Sequence, residues 1–152
     1  MIVLKDTEIK KIAKEKNIVL VGGCFDILHP AHIEFLKRAK EKGDLLVLFL
    51  ESDENVKRLK GKKRPLYNQN TRAVNLSNLS VVDYVILLKT PDSPQYYYNL
   101  VNLLHPAIIA VTKGDPLIDV KIKQAEEVNG KVEIVMERDK GHSSTALAMH
   151  KK

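Results

Sequence analysis

Continuous apolar runs bounded by turn residues recur along the chain. They cover residues 17–23, 44–50, 83–88, 107–112 and 132–136. Runs of this length, rich in Val, Ile and Leu, are typical of strands buried on both faces of a sheet. The pattern therefore predicts five strands.

Segments with helical periodicity fill the intervals between these strands. Ile33 and Leu36, for example, share one face of a segment that ends at Gly43. The same spacing predicts helices over 31–42, 69–79, 93–104 and 117–129, with shorter ones over 7–16 and 143–150. Strands that alternate with amphipathic helices favour an α/β fold, a Rossmann-like doubly wound five-stranded parallel sheet with helices on both faces. We expect a single domain over 1–152, with an N-terminal helix in 1–16 and the core in 17–148.

Basic residues outnumber acidic ones, 25 to 19, which gives a formal net charge of +6. This excess suits an anionic partner, either a nucleic acid or a small phosphorylated ligand. Six basic residues lie within 57–64, KRLKGKKR, without an interleaved aromatic residue. Single-stranded nucleic-acid sites usually combine such charge with aromatic residues, so the small ligand is the favoured reading.

Compartment and membrane association follow from two further features. Cys24 is the single cysteine, so no intrachain disulfide can form. No apolar run approaches the roughly 18–20 residues that cross a bilayer, and the first residues lack a signal-peptide pattern. We expect a cytoplasmic protein without a membrane partner.

Three polar segments each follow a predicted strand: 22–32, 51–64 and 113–115. Ligands of open parallel sheets bind outside the carboxyl ends of the strands, where the strand order reverses. We therefore expect these segments to meet at one edge of the sheet.

The first of these segments, GGCFDILHPAHIEFL, places His29 and His32 at the start of a predicted helix. It matches neither the phosphate-binding G-x-x-x-x-G-K-[ST] loop nor the dinucleotide-binding G-x-G-x-x-G pattern. Imidazoles beside the free N–H groups of a helix start could still hold a phosphate. A metal site with Cys24 and Asp26 nearby, or two incidental surface histidines, remain the alternatives.

At this point the residues resemble a known family. GCFDILHPAH resembles the G-x-F-D-x-x-H-x-G-H signature of the cytidylyltransferase-like nucleotidyltransferases, most closely that of the ADP-heptose synthase domain and glycerol-3-phosphate cytidylyltransferase. Three further stretches are similar to elements of that family, in the same order: SDENVKRLKGKKRPLYNQNTRA (52–73), TKGD (112–115) and RDKGHSST (138–145).

The resemblance implies a reaction. The phosphate of a phosphorylated alcohol or sugar attacks the α-phosphorus of ATP or CTP and releases pyrophosphate, with no covalent enzyme intermediate. It also implies Mg²⁺ bound with the nucleoside triphosphate, and a homodimer. The protein would contribute positioning and stabilisation of charge.

The resemblance further implies roles for particular residues. His29 and His32 would bind the triphosphate, Lys60 would neutralise phosphates, and Arg72 would hold a phosphate. The expected nucleotide contacts are Gly23, Cys24, Phe25, Asp26, Lys57, Lys62, Gly114, Asp115, Arg138, Ser143, Ser144 and Thr145.

Ordinary structural readings stay open for several of these residues. Arg72 could pair with a carboxylate, Gly114 and Asp115 could form a turn, and Cys24 could be an inert buried thiol. Of the tyrosine triplet 96–98, one face would pack and another would meet a partner subunit.

The chain also departs from the family pattern. Ala31 stands where the family has glycine, and a methyl group there would crowd a phosphate close to the backbone. His142 replaces the usual isoleucine, and TKGD lacks the second glycine of the heptose-type turn. A weakly active or inactive nucleotide-binding homologue is therefore the alternative function.

Overall fold

Six strands form one parallel sheet in the computed structural model, which describes residues 1–137. In spatial order they are β1, β4, β3, β2, β5 and β6. The strands are β1 (Ile2–Lys5), β2 (Ile18–Gly23), β3 (Leu45–Leu50), β4 (Tyr84–Leu87), β5 (Ile108–Lys113) and β6 (Lys131–Glu137). The helices are α1 (Pro30–Lys40), α2 (Asp53–Lys60), α3 (Gln69–Leu76), α4 (Gln95–Leu104) and α5 (Ile118–Glu127).

The doubly wound parallel sheet is confirmed, because apolar side chains pack on both of its faces. One core cluster joins Leu20 and Phe49 to Leu100 of α4 and Ala125 of α5. The other joins neighbouring strand residues to Leu36 of α1 and Ala73 and Leu76 of α3. Adjacent residues of a strand point to opposite faces, so runs such as 45–50 must be apolar throughout.

The prediction of five strands and of a helix over 7–16 was wrong. Residues 2–5 add a sixth strand at the sheet edge, where Ile2 pairs with Tyr84 and Lys5 with Leu87. A short 3₁₀ helix, Asp6–Lys11, follows it. Only one side chain of β1, that of Leu4, is buried, so four residues gave no recognisable strand period.

No helix was predicted between β3 and residue 69, but residues 53–60, which include the first half of the basic stretch 57–64, form helix α2. Ser52 caps this helix, because its hydroxyl accepts the N–H of Asn55 at 3.1 Å. Acidic residues occupy the first turn and basic ones the last, as the helix dipole favours. Gly61 ends α2 with a φ of +107°.

The strand order reverses between β2 and β5, and β3 lies on the other side of β2. The segments 22–32, 51–64 and 113–115 follow these three neighbouring strands, so they lie at one edge of the sheet, as predicted. The expected helix over 143–150 lies outside the described residues. Among residues 1–137 no helix is long and apolar enough to cross a membrane.

Candidate active site

The turn that follows β2 depends on Gly23 and on a phenylalanine with a strained backbone. Phe25 has a φ of +45°, in the left-handed region that non-glycine residues rarely adopt. A Cβ atom at position 23 would lie 2.8 Å from a carbon of the Phe25 ring, so the ring needs glycine there. Phe25 also meets His32 edge to face, with the ring centroids 5.9 Å apart. The turn therefore presses an aromatic ring against the second histidine.

The two histidines stack on each other at the start of α1. Their ring centroids are 4.0 Å apart and the ring planes make an angle of 30°. His29 is the N-cap residue, and its Nδ1 accepts the N–H of Ala31 at 3.1 Å. Because Nδ1 accepts a hydrogen bond, the neutral His29 ring carries its proton on Nε2. The pair thus lies beside the amino end of a helix, where anions are stabilised.

His32 is poorly solvated. Its Nδ1 is buried without a hydrogen-bond partner among residues 1–137. Burial, together with the charges of His29 and Lys60, lowers the pKa of His32 to about 4, although a hydrogen bond between the ring and the Ile27 backbone opposes the shift. An arriving phosphate would supply both a hydrogen-bond partner and a negative charge that favours the protonated ring.

Ala31 causes no backbone strain. It lies in the first turn of α1, and it is not among the described residues that have a positive φ. Glycine is therefore not needed here for the backbone conformation. The crowding of a phosphate by its methyl group stays a prediction.

Asp26 lies in the turn after β2 and is hydrogen-bonded to the loop before α3. Its Oδ2 accepts Arg64 Nε and the Leu66 N–H, both at 2.7 Å, and its Oδ1 accepts the Tyr67 N–H at 3.0 Å. The side chains of Asp26 and Arg64 are almost fully buried. These bonds explain Asp26 without a ligand, and its contact with a nucleotide stays a prediction.

Arg72 is also used inside the protein. The side chain is fully buried, and it donates to Tyr67 O at 2.9 Å, Cys24 O at 2.9 Å and Asp53 Oδ1 at 2.7 Å. This is the carboxylate pairing that was the alternative to a phosphate contact. A direct contact with substrate would require one of these bonds to break. Burial raises the pKa of the Cys24 thiol, which fits an inert thiol.

Three lysines were predicted to contact the nucleotide or its phosphates. Of these, Lys60 acts through its charge on residues around the histidine pair. It ends α2, and its charge contributes to the lowered pKa of His32 and offsets part of the rise that burial causes in the pKa of Cys24. Lys57 and Lys62 are exposed, and neither side chain makes a hydrogen bond or ion pair within residues 1–137. The structure therefore brings together His29, His32 and Lys60.

Gly114 and Asp115 form the turn after β5. Gly114 has a φ of +81°, which suits glycine. Asp115 accepts the Leu117 N–H at 2.8 Å and pairs with Lys121 at 2.7 Å. These contacts support the interpretation of Gly114 and Asp115 as turn residues. The ion pair with Asp115 also holds Lys121 at the wall of a cavity. The remaining predicted contacts, Arg138, Ser143, Ser144 and Thr145, lie outside the described residues.

A cavity of about 600 Å³ opens beside the motif. Its wall contains Gly22, Gly23 and Cys24, and other parts come from α2, from α4 and from α5. Glu51 and Tyr97 also line it, and neither was named as a nucleotide contact from the sequence. A signal for Glu51 did exist, because it is the first residue beyond the carboxyl end of a buried strand.

Two of the three adjacent tyrosines pack against the core with their hydroxyls bonded inside the protein. Tyr96 donates to Asp6 at 2.8 Å and accepts the Lys89 N–H, also at 2.8 Å. Tyr97 donates to Glu51 at 2.9 Å. Tyr98 instead lines a separate surface groove between α4 and α5.

Comparisons with known proteins agree with this geometry. A protein-family model described as "Cytidylyltransferase-like" matches residues 20–151. The Bifunctional protein HldE of Geobacter sulfurreducens is 43% identical over 137 residues, and that of Helicobacter pylori strain P12 is 38% identical over 133. These matches cover 89% and 88% of this chain but only 27% of each relative, so the chain spans about a quarter of their length.

Solved structures share the architecture. A lipopolysaccharide core biosynthesis protein from Thermoplasma volcanium superposes with a TM-score of 0.64 at 29% identity, over 80% of this chain and 96% of that one. Pantoate-beta-alanine ligase from Francisella tularensis gives 0.65 at 16% identity, over 93% and 69%, which shows a common fold alone. With the histidine pair at the end of the central strand and a family model that matches most of its length, the chain belongs to the cytidylyltransferase-like family of nucleotidyltransferases.

Proposed function

We propose that this protein transfers a nucleoside monophosphate from ATP or CTP to the phosphate of a small phosphorylated sugar or alcohol, with release of pyrophosphate. The observation that carries the proposal is the stacked His29–His32 pair at the start of α1, beside the carboxyl end of β2. Family membership and the similarity to HldE support the reaction class. The chemical class of the acceptor and the choice between ATP and CTP are parts of the proposal.

The proposed mechanism uses positioning and charge rather than covalent catalysis. The acceptor phosphate attacks the α-phosphorus in line, and the bond to the pyrophosphate oxygen breaks. His29 and His32 would donate hydrogen bonds to the phosphate oxygens on which negative charge accumulates. Lys60 would neutralise part of the same charge from the end of α2.

Mg²⁺ would come with the nucleotide and neutralise the triphosphate. No group of three or more His, Cys, Asp or Glu side chains among residues 1–137 forms a metal cluster. The donor set therefore fits an ion held chiefly by triphosphate oxygens and water, as Mg²⁺ often is.

The experiment is a pyrophosphate-release assay with ATP or CTP, Mg²⁺ and a panel of phosphorylated acceptors: hexose 1-phosphates, glycerol 3-phosphate and phosphocholine. We expect turnover with one nucleotide, and a fall of about 10²–10³-fold in His29→Asn or His32→Asn. His105→Asn is the matched control, because His105 is exposed and has a left-handed conformation that asparagine tolerates.

A control variant that loses as much activity as the motif variants would contradict the role of the pair. Nucleotide binding without turnover for any acceptor would instead favour the alternative suggested by Ala31, an inactive nucleotide-binding homologue. In that case Ala31→Gly should restore a measurable rate, because the methyl group would be what displaces the phosphate.

A further inference from the structure

A second group of polar side chains faces the cavity and takes no part in the histidine motif. The carboxylate of Glu51 accepts Asn55 Nδ2 at 2.8 Å and the Tyr97 hydroxyl at 2.9 Å, both on Oε1. Asn55 also donates to the Tyr97 oxygen at 3.2 Å. The three residues come from the end of β3, from α2 and from α4, so the fold places them together.

Glu51 keeps unused capacity to accept hydrogen bonds. An ionised carboxylate has about four acceptor sites. Its Oε2 has one contact, 3.2 Å from the same Tyr97 hydroxyl whose single proton points to Oε1 at the shorter distance. No lysine, arginine or histidine among residues 1–137 forms an ion pair with Glu51. A half-buried carboxylate with few donors is costly, and a ligand that donates would remove that cost.

The surroundings indicate which donor fits. Arg58 lines the cavity, where it donates to Pro91 O at 3.4 Å and forms no ion pair among residues 1–137. This cation would repel an ammonium group on a ligand. Much of the wall is apolar and would contact carbon atoms: Leu20, Phe49, Val101, Ile109, Leu117 and Val120.

Neutral hydroxyl groups on a carbon skeleton avoid the repulsion between cations and also offer carbon atoms to the apolar wall. Hydroxyls donate to the carboxylate in charge-assisted bonds, and the C–H surfaces pack on the apolar wall. We propose that Glu51, held in place by Asn55 and Tyr97, recognises acceptor hydroxyl groups and selects a polyhydroxylated phosphate over a cationic or hydroxyl-free one. This inference rests on the proposed nucleotidyl transfer, and it assigns the acceptor class and the residue that selects it.

The position of the cavity agrees with this role. Gly22, Gly23 and Cys24 belong to its wall, and they lead directly into the turn that carries Phe25 and the histidines. An acceptor in the cavity would therefore lie next to the nucleotide phosphates. A site built to hydrogen-bond a hydroxyl strongly rejects an analogue that lacks it, since its polar groups are then left unpaired.

The test compares Glu51→Gln with Glu54→Gln, a nearby control in the first turn of α2 whose side chain is exposed. The probes are glucose 1-phosphate, 2-deoxyglucose 1-phosphate, glycerol 3-phosphate and phosphocholine, each with Mg²⁺ and the nucleotide that the protein uses. We expect hydroxylated acceptors to be preferred by wild type. Glu51→Gln should raise KM for the preferred acceptor by about 10- to 100-fold, with KM for the nucleotide unchanged.

Tyr97→Phe is the second variant, because it removes a single hydroxyl and keeps the ring packing. A smaller rise in the same acceptor KM is expected. If the deoxy analogue is the weaker substrate of wild type, Glu51→Gln should reduce that discrimination, which a merely structural role would not do.

Two failures are distinguishable. Pyrophosphate release with phosphocholine at least as fast as with the hydroxylated acceptors, or unchanged selectivity in Glu51→Gln, overturns the inference and leaves nucleotidyl transfer standing. No pyrophosphate release with any acceptor overturns both.

Discussion

Two sets of charged and polar residues surround the same turn, and they differ in how their polar atoms are used. Asp26 and Arg72 form an internal clamp: they are buried, and each makes three hydrogen bonds within the protein. His32, Glu51 and Lys60 form a ligand-facing set. His32 Nδ1 has no partner among residues 1–137, Glu51 Oε2 has one long contact, and Lys60 is exposed.

This difference separates two kinds of motif residue that the sequence alone treats alike. The clamp ties the loop before α3 to the turn after β2, so its effects should appear in stability. The ligand-facing set leaves hydrogen-bonding capacity or charge towards the cavity and the histidines, so its effects should appear in binding and rate. Variants of each set therefore test whether stability and catalysis depend on different residues.

The largest expected effect is on stability, in the clamp. Asp26→Ala leaves Arg64 buried without its carboxylate, and removal of one partner from a buried pair costs about 3–5 kcal/mol. Urea unfolding followed by circular dichroism measures the loss. Asp119→Asn, an exposed position in α5, should change the free energy of unfolding by less than about 1 kcal/mol. A loss below about 1 kcal/mol in Asp26→Ala would contradict the clamp.

The next effect is on rate, in the ligand-facing set. Lys60→Gln should lower kcat/KM for pyrophosphate release by about 10- to 100-fold, because one cation no longer neutralises the triphosphate. Stability should change little, since the side chain is exposed. Lys63→Gln, also exposed and in the same basic stretch, is the control. Equal losses in the two variants would mean that only the general charge of the segment matters.

A smaller effect is the pH dependence of stability due to His32. The pKa of a histidine in an unfolded chain is about 6.5, and burial is the main cause that lowers that of His32 to about 4 in the folded protein, so the unfolded chain binds the proton more tightly. This contribution is present above pH 6.5 and is lost as the pH falls towards 4. Between pH 7 and 5 we expect a loss of about 1–2 kcal/mol that is missing in His32→Gln. Identical pH profiles for the two proteins would contradict the burial of a neutral ring.

The smallest expected effect is that of Ala31→Gly on stability. Glycine inside a helix costs about 0.5–1 kcal/mol relative to alanine, and Ala31 is in the first turn of α1. The thermal midpoint should therefore fall slightly. A rise would show that Ala31 is strained in the folded protein, contrary to its helical conformation.

The sequence was informative where burial imposes a pattern. Runs such as 45–50 and 107–112 predicted strands because both faces of a doubly wound sheet are covered, and those strands order the site. It failed at β1, where four residues bury one side chain. It also failed at α2, whose charged residues hid the signals of Ser52 as N-cap and of acidic and basic helix ends.

The candidate site was predictable in place but not in detail. The histidine pair follows from local order in the chain, because His29 caps the helix that carries His32. The partners of Arg72, in contrast, lie 5, 19 and 48 residues away, and Tyr97 lies 46 residues from Glu51. Contacts of that separation depend on the tertiary fold, so no local pattern could assign Arg72 to the clamp or Glu51 to the cavity.

The most direct test of the account is isothermal titration of ATP and of CTP, each with Mg²⁺, into wild type and into the double variant His29→Asn/His32→Asn. We predict micromolar binding of one nucleotide by wild type, at least 100-fold weaker binding by the double variant, and unchanged binding by Glu51→Gln. Equal affinity of wild type and the double variant, or binding of neither nucleotide by wild type, would contradict the assignment of the histidine pair as the triphosphate site.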